Sequence, residues 1–258
     1  MFHLTYHQIR PSESARYLYS VTPEQFAAHL EVLAPAAARL PPDAAISFDD
    51  GDASIFEYAL PRLEACGAKA TLFITAAWIG ARAGFLSWSQ LSALADLGHS
   101  VQSHGWSHVF LPACDRGQLH EELRRSKQVI EDRIGREVSE ISMPAGRWNG
   151  SVVAACAEAG YARVYTSEAG AQPRVLAGVE VVGRYMARRH DTAADIAARL
   201  AAKPAALGRQ RLRRLAARSL QAVLGDERYH RLWLRWSNAT PDTEAELGYA
   251  PDESPPPS

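Results

Sequence analysis

Ala44-Ala45-Ile46-Ser47-Phe48 runs straight into Asp49-Asp50-Gly51, so an apolar stretch ends on two carboxylates and a turn residue. A short apolar run closed by glycine reads as a buried strand. The pattern recurs outward along the chain. Phe2–Tyr6, Ala70–Ile74, His99–Ser103, Glu140–Ser142 and Ala162–Thr166 are further runs of this kind, and Val179–Val182 is a late one. Helices with readable starts lie between them. Thr22-Pro23-Glu24-Gln25 combines a capping box with proline at the first helical position, and Ser87 with Gln90 and Asp115 with Gln118 repeat the cap. Gly67, Gly98, Gly135 and Gly160 fall where those helices should stop. Repeated βα units predict an α/β fold with a parallel sheet covered by helices, either a barrel or an open doubly wound sheet. Periodicity alone does not choose between them.

A chain of 258 residues, 47% hydrophobic, suits one barrel-sized domain or two small ones, with a large core. Its formal net charge of −1 argues against a strongly basic nucleic-acid binder, and we expect no nucleic-acid partner. No GxGxxG follows the first strand and no GxxxxGK[ST] occurs, so nucleotide-binding readings have no motif. Cys66, Cys114 and Cys156 are odd in number and widely spaced, which offers neither a disulfide framework nor a CxxC metal site. The opening MFHLTYHQIRPSESARYLYS has no basic start followed by an apolar run, and no stretch approaches the roughly 18 apolar residues of a membrane span. A soluble cytoplasmic protein is the expectation.

The character changes near Thr192. Ten lysines and arginines fall between Arg199 and Trp236, while Leu212, Leu215, Ala216, Leu220, Val223 and Leu224 recur at helical spacing. This predicts a basic helical extension over 191–236, followed by an acidic, disordered tail at 237–258. A solvated basic face is the plain reading of the helix. Peripheral contact with an anionic membrane at the inner face is the functional one.

Two clusters carry chemistry. Asp49 and Asp50 sit at a strand end, where a turn at Gly51 can bring both carboxylates to one mouth. His104-Gly105-Trp106-Ser107-His108 follows another strand end, and histidines four apart share a face if the segment makes a helical turn. Alone, the first describes a solvated turn and the second a surface pair. Together, at strand ends of a βα array where ligands collect, they point to a metal-dependent hydrolytic site. One carboxylate and two imidazoles leave open positions on a divalent ion, which polarises a carbonyl and acidifies water. The other carboxylate is free to act as base.

These residues resemble the polysaccharide deacetylases of the NodB-homology family. Phe48 to Gly51, then Ala59-Leu60-Pro61-Arg62-Leu63 and Gly67 to Phe73, are similar to its first motif region. Trp88-Ser89-Gln90-Leu91, Gly98-His99 and Ser103 through Leu111 are similar to its second. The lead-in Tyr6-His7, Val21 to Phe26 and Leu30 resembles that of exopolysaccharide N-deacetylases. The resemblance covers residues 1–190. It implies a distorted, incomplete (β/α) barrel of about seven parallel strands, to which the pattern beyond residue 190 adds the C-terminal helical extension.

The resemblance also assigns roles. Asp50, His104 and His108 become the ligands of a divalent metal, Zn²⁺ first, with Co²⁺ or Ni²⁺ as alternatives. Asp49 becomes the general base. Ile141 to Gly146 matches the third motif, with the Ala145 N–H as oxyanion donor; beside it, Pro144 and Trp148 are the candidate substrate contacts, Trp148 by stacking on a sugar ring, with rim packing as its plain reading. Two departures stand out. Ser142 replaces an arginine common in the family, and Ala145 replaces an aromatic residue. Arg147 and Arg184 are candidates for the missing guanidinium, and Arg184 is preferred because its strand should deliver it to the catalytic end. No late Leu-x-x-His segment is present to provide the usual general acid. His99 reads as structural, His7 at the end of the first strand as structural in preference to a site role, and Trp106 as a core or rim aromatic.

The implied activity is hydrolysis of the acetamide of an N-acetylhexosamine in a glycan or glycan precursor. A metal-dependent hydrolase of a non-sugar amide or cyclic imide and a glycan-binding pseudoenzyme are the alternatives. An iron oxygenase using two histidines and a carboxylate leaves Asp49 unexplained.

Overall fold

The computed structural model describes residues 2–11, 17–33 and 44–201. The expected basic helix beyond Ala201 and the tail at 237–258 lie outside the described residues. A compact unit spans Met1–Leu200.

Six strands run parallel in the order β1 (Phe2–Tyr6), β4 (Ala44–Phe48), β5 (Ala70–Ile74), β6 (Ser100–Ser103), β7 (Glu140–Ser142) and β8 (Arg163–Thr166). The seventh is interrupted. Its first half, β10 (Val179–Gly183), pairs with β8, and its second half, β11 (Tyr185–Met186), pairs with β1 at the opposite end of the sheet. One chain segment, changing partners at Arg184, thus spans from the last strand back to the first. The result is the incomplete barrel of about seven strands that the family resemblance implies.

Alternation along β1 shows which side faces inward. Leu4 and Tyr6 share one face, His3, Thr5 and His7 the other, and all five are buried. Tyr6 and Phe48 pack on Phe26 of α1 (Pro23–Leu33), with ring centroids 5.0 and 5.8 Å apart. The apolar face therefore lies under the helices. The polar face turns into the barrel, where the Thr5 and Ser47 hydroxyls lie 2.7 Å apart.

The helix signals act as the sequence implies. Gln25 N–H donates to Thr22 Oγ1 while Thr22 N–H donates to Gln25 Oε1, closing a box at the start of α1. The same reciprocal pair opens α3 (Trp88–Asp96) and α4 (Arg116–Ile134), and α4 ends on left-handed Gly135. Three features escape sequence reading. A short parallel pair, β2 (Gln8–Ile9) and β3 (Ser20–Val21), lies outside the barrel sheet, and a π-helical turn at Ile55–Ala59 leads into α2 (Leu60–Ala65). Strand β9 (Arg174–Leu176) pairs antiparallel with β10 through Ala177-Gly178, both at positive φ. All three β9 residues are exposed, so no burial pattern marks it. Helices α5 (Gly150–Glu158) and α6 (Ala193–Ala201) complete the described unit.

Gly183 holds the strand break in place. A β-carbon there would run into the Glu168 carbonyl oxygen and lie 3.0 Å from its carbon and 3.1 Å from Ala171 Cβ. Backbone cannot give way as a side-chain tip can. Gly183→Ala should therefore cost about 1–3 kcal/mol in denaturant unfolding, as overpacking typically does. Gly150→Ala, where a methyl meets nothing within 4 Å, should be neutral or stabilising.

Candidate metal centre and active site

The three expected ligands follow the ends of β4 and β6, two strands separated by β5, and converge. His104 Nε2 lies 3.2 Å and His108 Nε2 3.4 Å from Asp50 Oδ1, and all three side chains are buried. Metal–ligand bonds of about 2.0–2.1 Å place tetrahedral ligand atoms roughly 3.3–3.4 Å apart, so these separations suit a single small divalent ion. Among the described residues this is the one group of three such donors with metal-binding spacing. Asp50 Oδ1 has no hydrogen-bond partner although it is buried, which an ion would remedy. His104 Nδ1 lies 2.9 Å from the Ser142 carbonyl. A carbonyl only accepts, so Nδ1 carries the proton, and the neutral ring offers its Nε2 lone pair toward Asp50.

Electrostatics agree with that fit. Burial alone would raise the Asp50 carboxyl, but polar contact with His104 and His108 holds it well below the usual carboxylate range. Burial opposes charge on His104, yet Asp49 and Asp50 push its titration upward. Positive charge is favoured in the space these atoms surround.

Backbone strain collects here. Among the described residues, four that are not glycine have positive φ: Asp50 (72°), His108 (66°), Ala145 (51°) and Ala177. The first two carry ligand side chains, and Ala145 lies three residues beyond Ser142. Left-handed backbone costs roughly 1 kcal/mol or more for such residues and is commonly retained where it aims functional groups. The sharp turn thus begins at Asp50 itself, one residue before the expected Gly51. The helical turn proposed for His104–His108 is absent. That segment is an irregular loop with Gly105 at φ 81°, and its two imidazoles meet through left-handed residues instead of a shared helix face.

Asp49 lies beside the trio and is gripped by Arg184. Nη1 donates to Asp49 Oδ1 at 2.8 Å and Nη2 to Oδ2 at 2.7 Å, a two-point fork. Nη1 also donates to Ser47 Oγ (3.1 Å) and Nη2 to Ser142 Oγ (2.5 Å), while the Ser142 hydroxyl lies 3.0 Å from Asp49 Oδ2. The guanidinium stands 5.1 Å from the Phe73 ring centre and 5.5 Å from that of Tyr165. Arg184 is 1% exposed, so this ion pair is dry. Burial raises the Asp49 carboxyl, but Arg184, by charge and hydrogen bond, acts with His104 and His7 to outweigh it and hold the group below its ordinary range. Ser142 thus stands against a guanidinium that arrives from another strand. Arg147, the other candidate, places its guanidinium 5.5 Å from the Phe110 ring.

The remaining residues sort by position. Ala145 is exposed in a tight turn, Pro144–Gly146, whose bonds use the N–H groups of Gly146 and Arg147. Pro144 is buried beside it, and Trp148 lies against the guanidinium of Arg174 at 5.0 Å. His99 Nδ1 accepts the Ala70 N–H, a structural tie. His7 lies close to the site. Pairing of Tyr6 with Phe48 sets it beside Asp49, its Nδ1 is buried without a partner, and its ring stacks on Tyr19 at 5.0 Å. Burial lowers its titration, and Asp50 and Asp49 act on it in the opposite sense. Its position two residues beyond the inward-facing Thr5 is the sequence signal that could have found it.

A seven-stranded barrel holding a metal-type trio beside an arginine-forked carboxylate defines a hydrolase-like site. Residues 37–164 match the family model for polysaccharide deacetylase, and the chain belongs to that family. It is 33% identical over 129 residues to YxkH of Bacillus subtilis (strain 168), a polysaccharide deacetylase by description; the match covers 50% of this chain and 46% of that protein. The chain thus matches less than half the length of that curated relative. Its fold is similar to the Streptococcus pyogenes deacetylase PplD in complex with acetate (TM-score 0.66, 21% identity, 76% of this chain and 96% of that one). A de-N-acetylase from Aggregatibacter actinomycetemcomitans is similar at TM-score 0.62 and 18% identity, covering 76% and 97%. At these identities the likeness is one of fold.

Proposed function

We propose that this chain is a metal-dependent N-deacetylase acting on an N-acetylhexosamine within a glycan or glycan precursor. The observation that carries the reading is the Arg184 fork on Asp49 directly beside the Asp50–His104–His108 trio. The names of the two structural relatives, one a deacetylase with acetate and one a de-N-acetylase, support the reaction class.

A divalent ion held by Asp50, His104 and His108 would polarise the acetamide carbonyl and acidify a water. Asp49, kept ionised by Arg184, accepts the proton of the attacking water. The Ala145 N–H donates to the carbonyl oxygen as negative charge develops on it. The C–N bond then breaks, leaving acetate and a sugar amine. In place of a late histidine, the proton that Asp49 takes from water returns to the departing nitrogen, and His7, buried beside Asp49, is the group placed to relay it. Pro144 and Trp148 line the side on which the sugar rests.

Acetate and free amine should appear in equal amounts from N-acetylglucosamine oligomers in the presence of Zn²⁺, Co²⁺ or Ni²⁺. His7→Ala should slow that release while zinc content stays unchanged. Opening of cyclic imides with no acetate from any glycan would transfer the site to the other hydrolase class. Sugar binding with neither reaction would make the protein a lectin-like pseudoenzyme.

A further inference from the structure

Helix α4 buries a stripe made of Leu119, Glu122, Leu123, Ser126 and Ile130 at helical spacing. Two members are polar, and both reach the segment that carries the histidines. Ser126 Oγ lies 2.9 Å from Ser103 Oγ, which accepts the Gly105 N–H at 3.1 Å. Glu122 does more. Its Oε2 accepts the N–H groups of Trp106 and Ser107, both at 3.0 Å, and its Oε1 accepts the Ser107 hydroxyl at 2.5 Å. Arg125, on the next turn of α4, lays its guanidinium 4.0 Å from the centre of the Trp106 ring.

This arrangement answers a structural need. The loop is not helical, so it lacks the internal hydrogen bonds that would fix its shape, and His108 sits in left-handed backbone that costs energy. Two successive N–H groups aimed at one anion form a nest, normally a site for a bound ligand. Here the protein fills it with its own carboxylate. Glu122 is only 8% exposed, and bonds to an ionised acceptor are roughly twice as strong as neutral ones.

We propose that Glu122 is a positioning residue for the ligand loop: it clamps Trp106 and Ser107 so that His108, the next residue, meets Asp50 alongside His104. Glu122 touches neither substrate nor reacting atoms. The inference rests on the metal reading above and deepens it by naming what shapes the site.

Zinc titration of the full chain, with amide exchange of Trp106 and Ser107 measured in metal-free protein, tests it. Glu122→Ala should weaken zinc binding roughly 10–100-fold, the usual loss for an outer partner of a ligand set, and should speed exchange at both amides. Glu122→Gln keeps an oxygen for the two N–H groups and can donate to the Ser107 hydroxyl, but its neutral acceptor is weaker, so it should fall between the parent and Glu122→Ala in both measurements. Ser107→Ala removes one of the three bonds and should give an intermediate loss; it carries the test if Glu122→Ala does not fold. Unchanged zinc affinity and exchange in folded Glu122→Ala, or in Ser107→Ala if only that variant folds, would overturn the proposal. Equal losses in the Gln and Ala variants would overturn it too, by making charge and not acceptor geometry the cause. If the parent protein fails to bind zinc, the metal reading falls, and amide exchange still decides whether Glu122 holds the loop.

Discussion

Exchanging His104 and His108 together for alanine should strip the divalent ion from the protein and bring acetate release to background. Losing an outer partner of a metal ligand costs about 10–100-fold in affinity, and a ligand itself contributes at least as much. Two such losses multiply to roughly 10²–10⁴ or more. Asp50 would remain as a single buried oxygen donor, without the two imidazoles that now hold its carboxyl ionised. Acidification should have a related effect on the parent protein. Imidazoles bind metal only when neutral, so the ion should be released as pH falls through their titration. Elemental analysis of dialysed protein gives the metal content, and thermal unfolding shows whether the variant keeps its fold. Full occupancy in the double variant would sink the ligand assignment, whatever happened to turnover.

Much of the barrel was legible because buried parallel strands read as short apolar runs. Phe2–Tyr6, Ala44–Phe48, Ala70–Ile74 and Glu140–Ser142 have the bounds expected from sequence. The helix starts were legible for a different reason, since a cap and its partner lie three residues apart. Asp49, Asp50, His104 and His108 were readable because each stands at the end of such a run. Their convergence was also anticipated, but its cause was not. Spacing suggested a helical face, whereas the structure uses positive φ at Asp50 and His108 and a carboxylate 15 or 16 residues away in sequence. Local pattern carries no trace of that contact. β9 was hidden for the opposite reason: three exposed residues bury nothing, so they leave no periodic mark. The strand break at Arg184 lay between these cases. A late strand was visible, while its change of partner from β8 to β1 depends on tertiary closure.

Asp49 and Arg184 should act as one unit, and a double-variant cycle should show it. Asp49→Asn removes the proton acceptor but leaves Asp50, His104 and His108 in place, so turnover should drop by about 10²–10⁴ with zinc still bound. Arg184→Lys keeps a positive charge but cannot reproduce the fork. A lysine offers a point charge where Arg184 now donates to both Asp49 oxygens, to Ser47 and to Ser142. Asp49 would lose its fixed direction, and a misplacement near 1 Å can cost about 10²-fold in rate. Stability should fall as well. A buried ion pair that loses a partner outright costs about 3–5 kcal/mol, and lysine should recover only part of that. Stability loss therefore cannot discriminate between a positioning role and a structural one. Coupling can. If Arg184 serves turnover by orienting Asp49, the Arg184→Lys change has nothing further to disturb once Asp49 is asparagine. The double variant should then turn over about as slowly as Asp49→Asn alone. Zinc content measured alongside keeps failure of the metal site separate. If the two losses multiply instead, Arg184 contributes by a route that does not pass through Asp49, and its two-point contact with that carboxylate is merely structural.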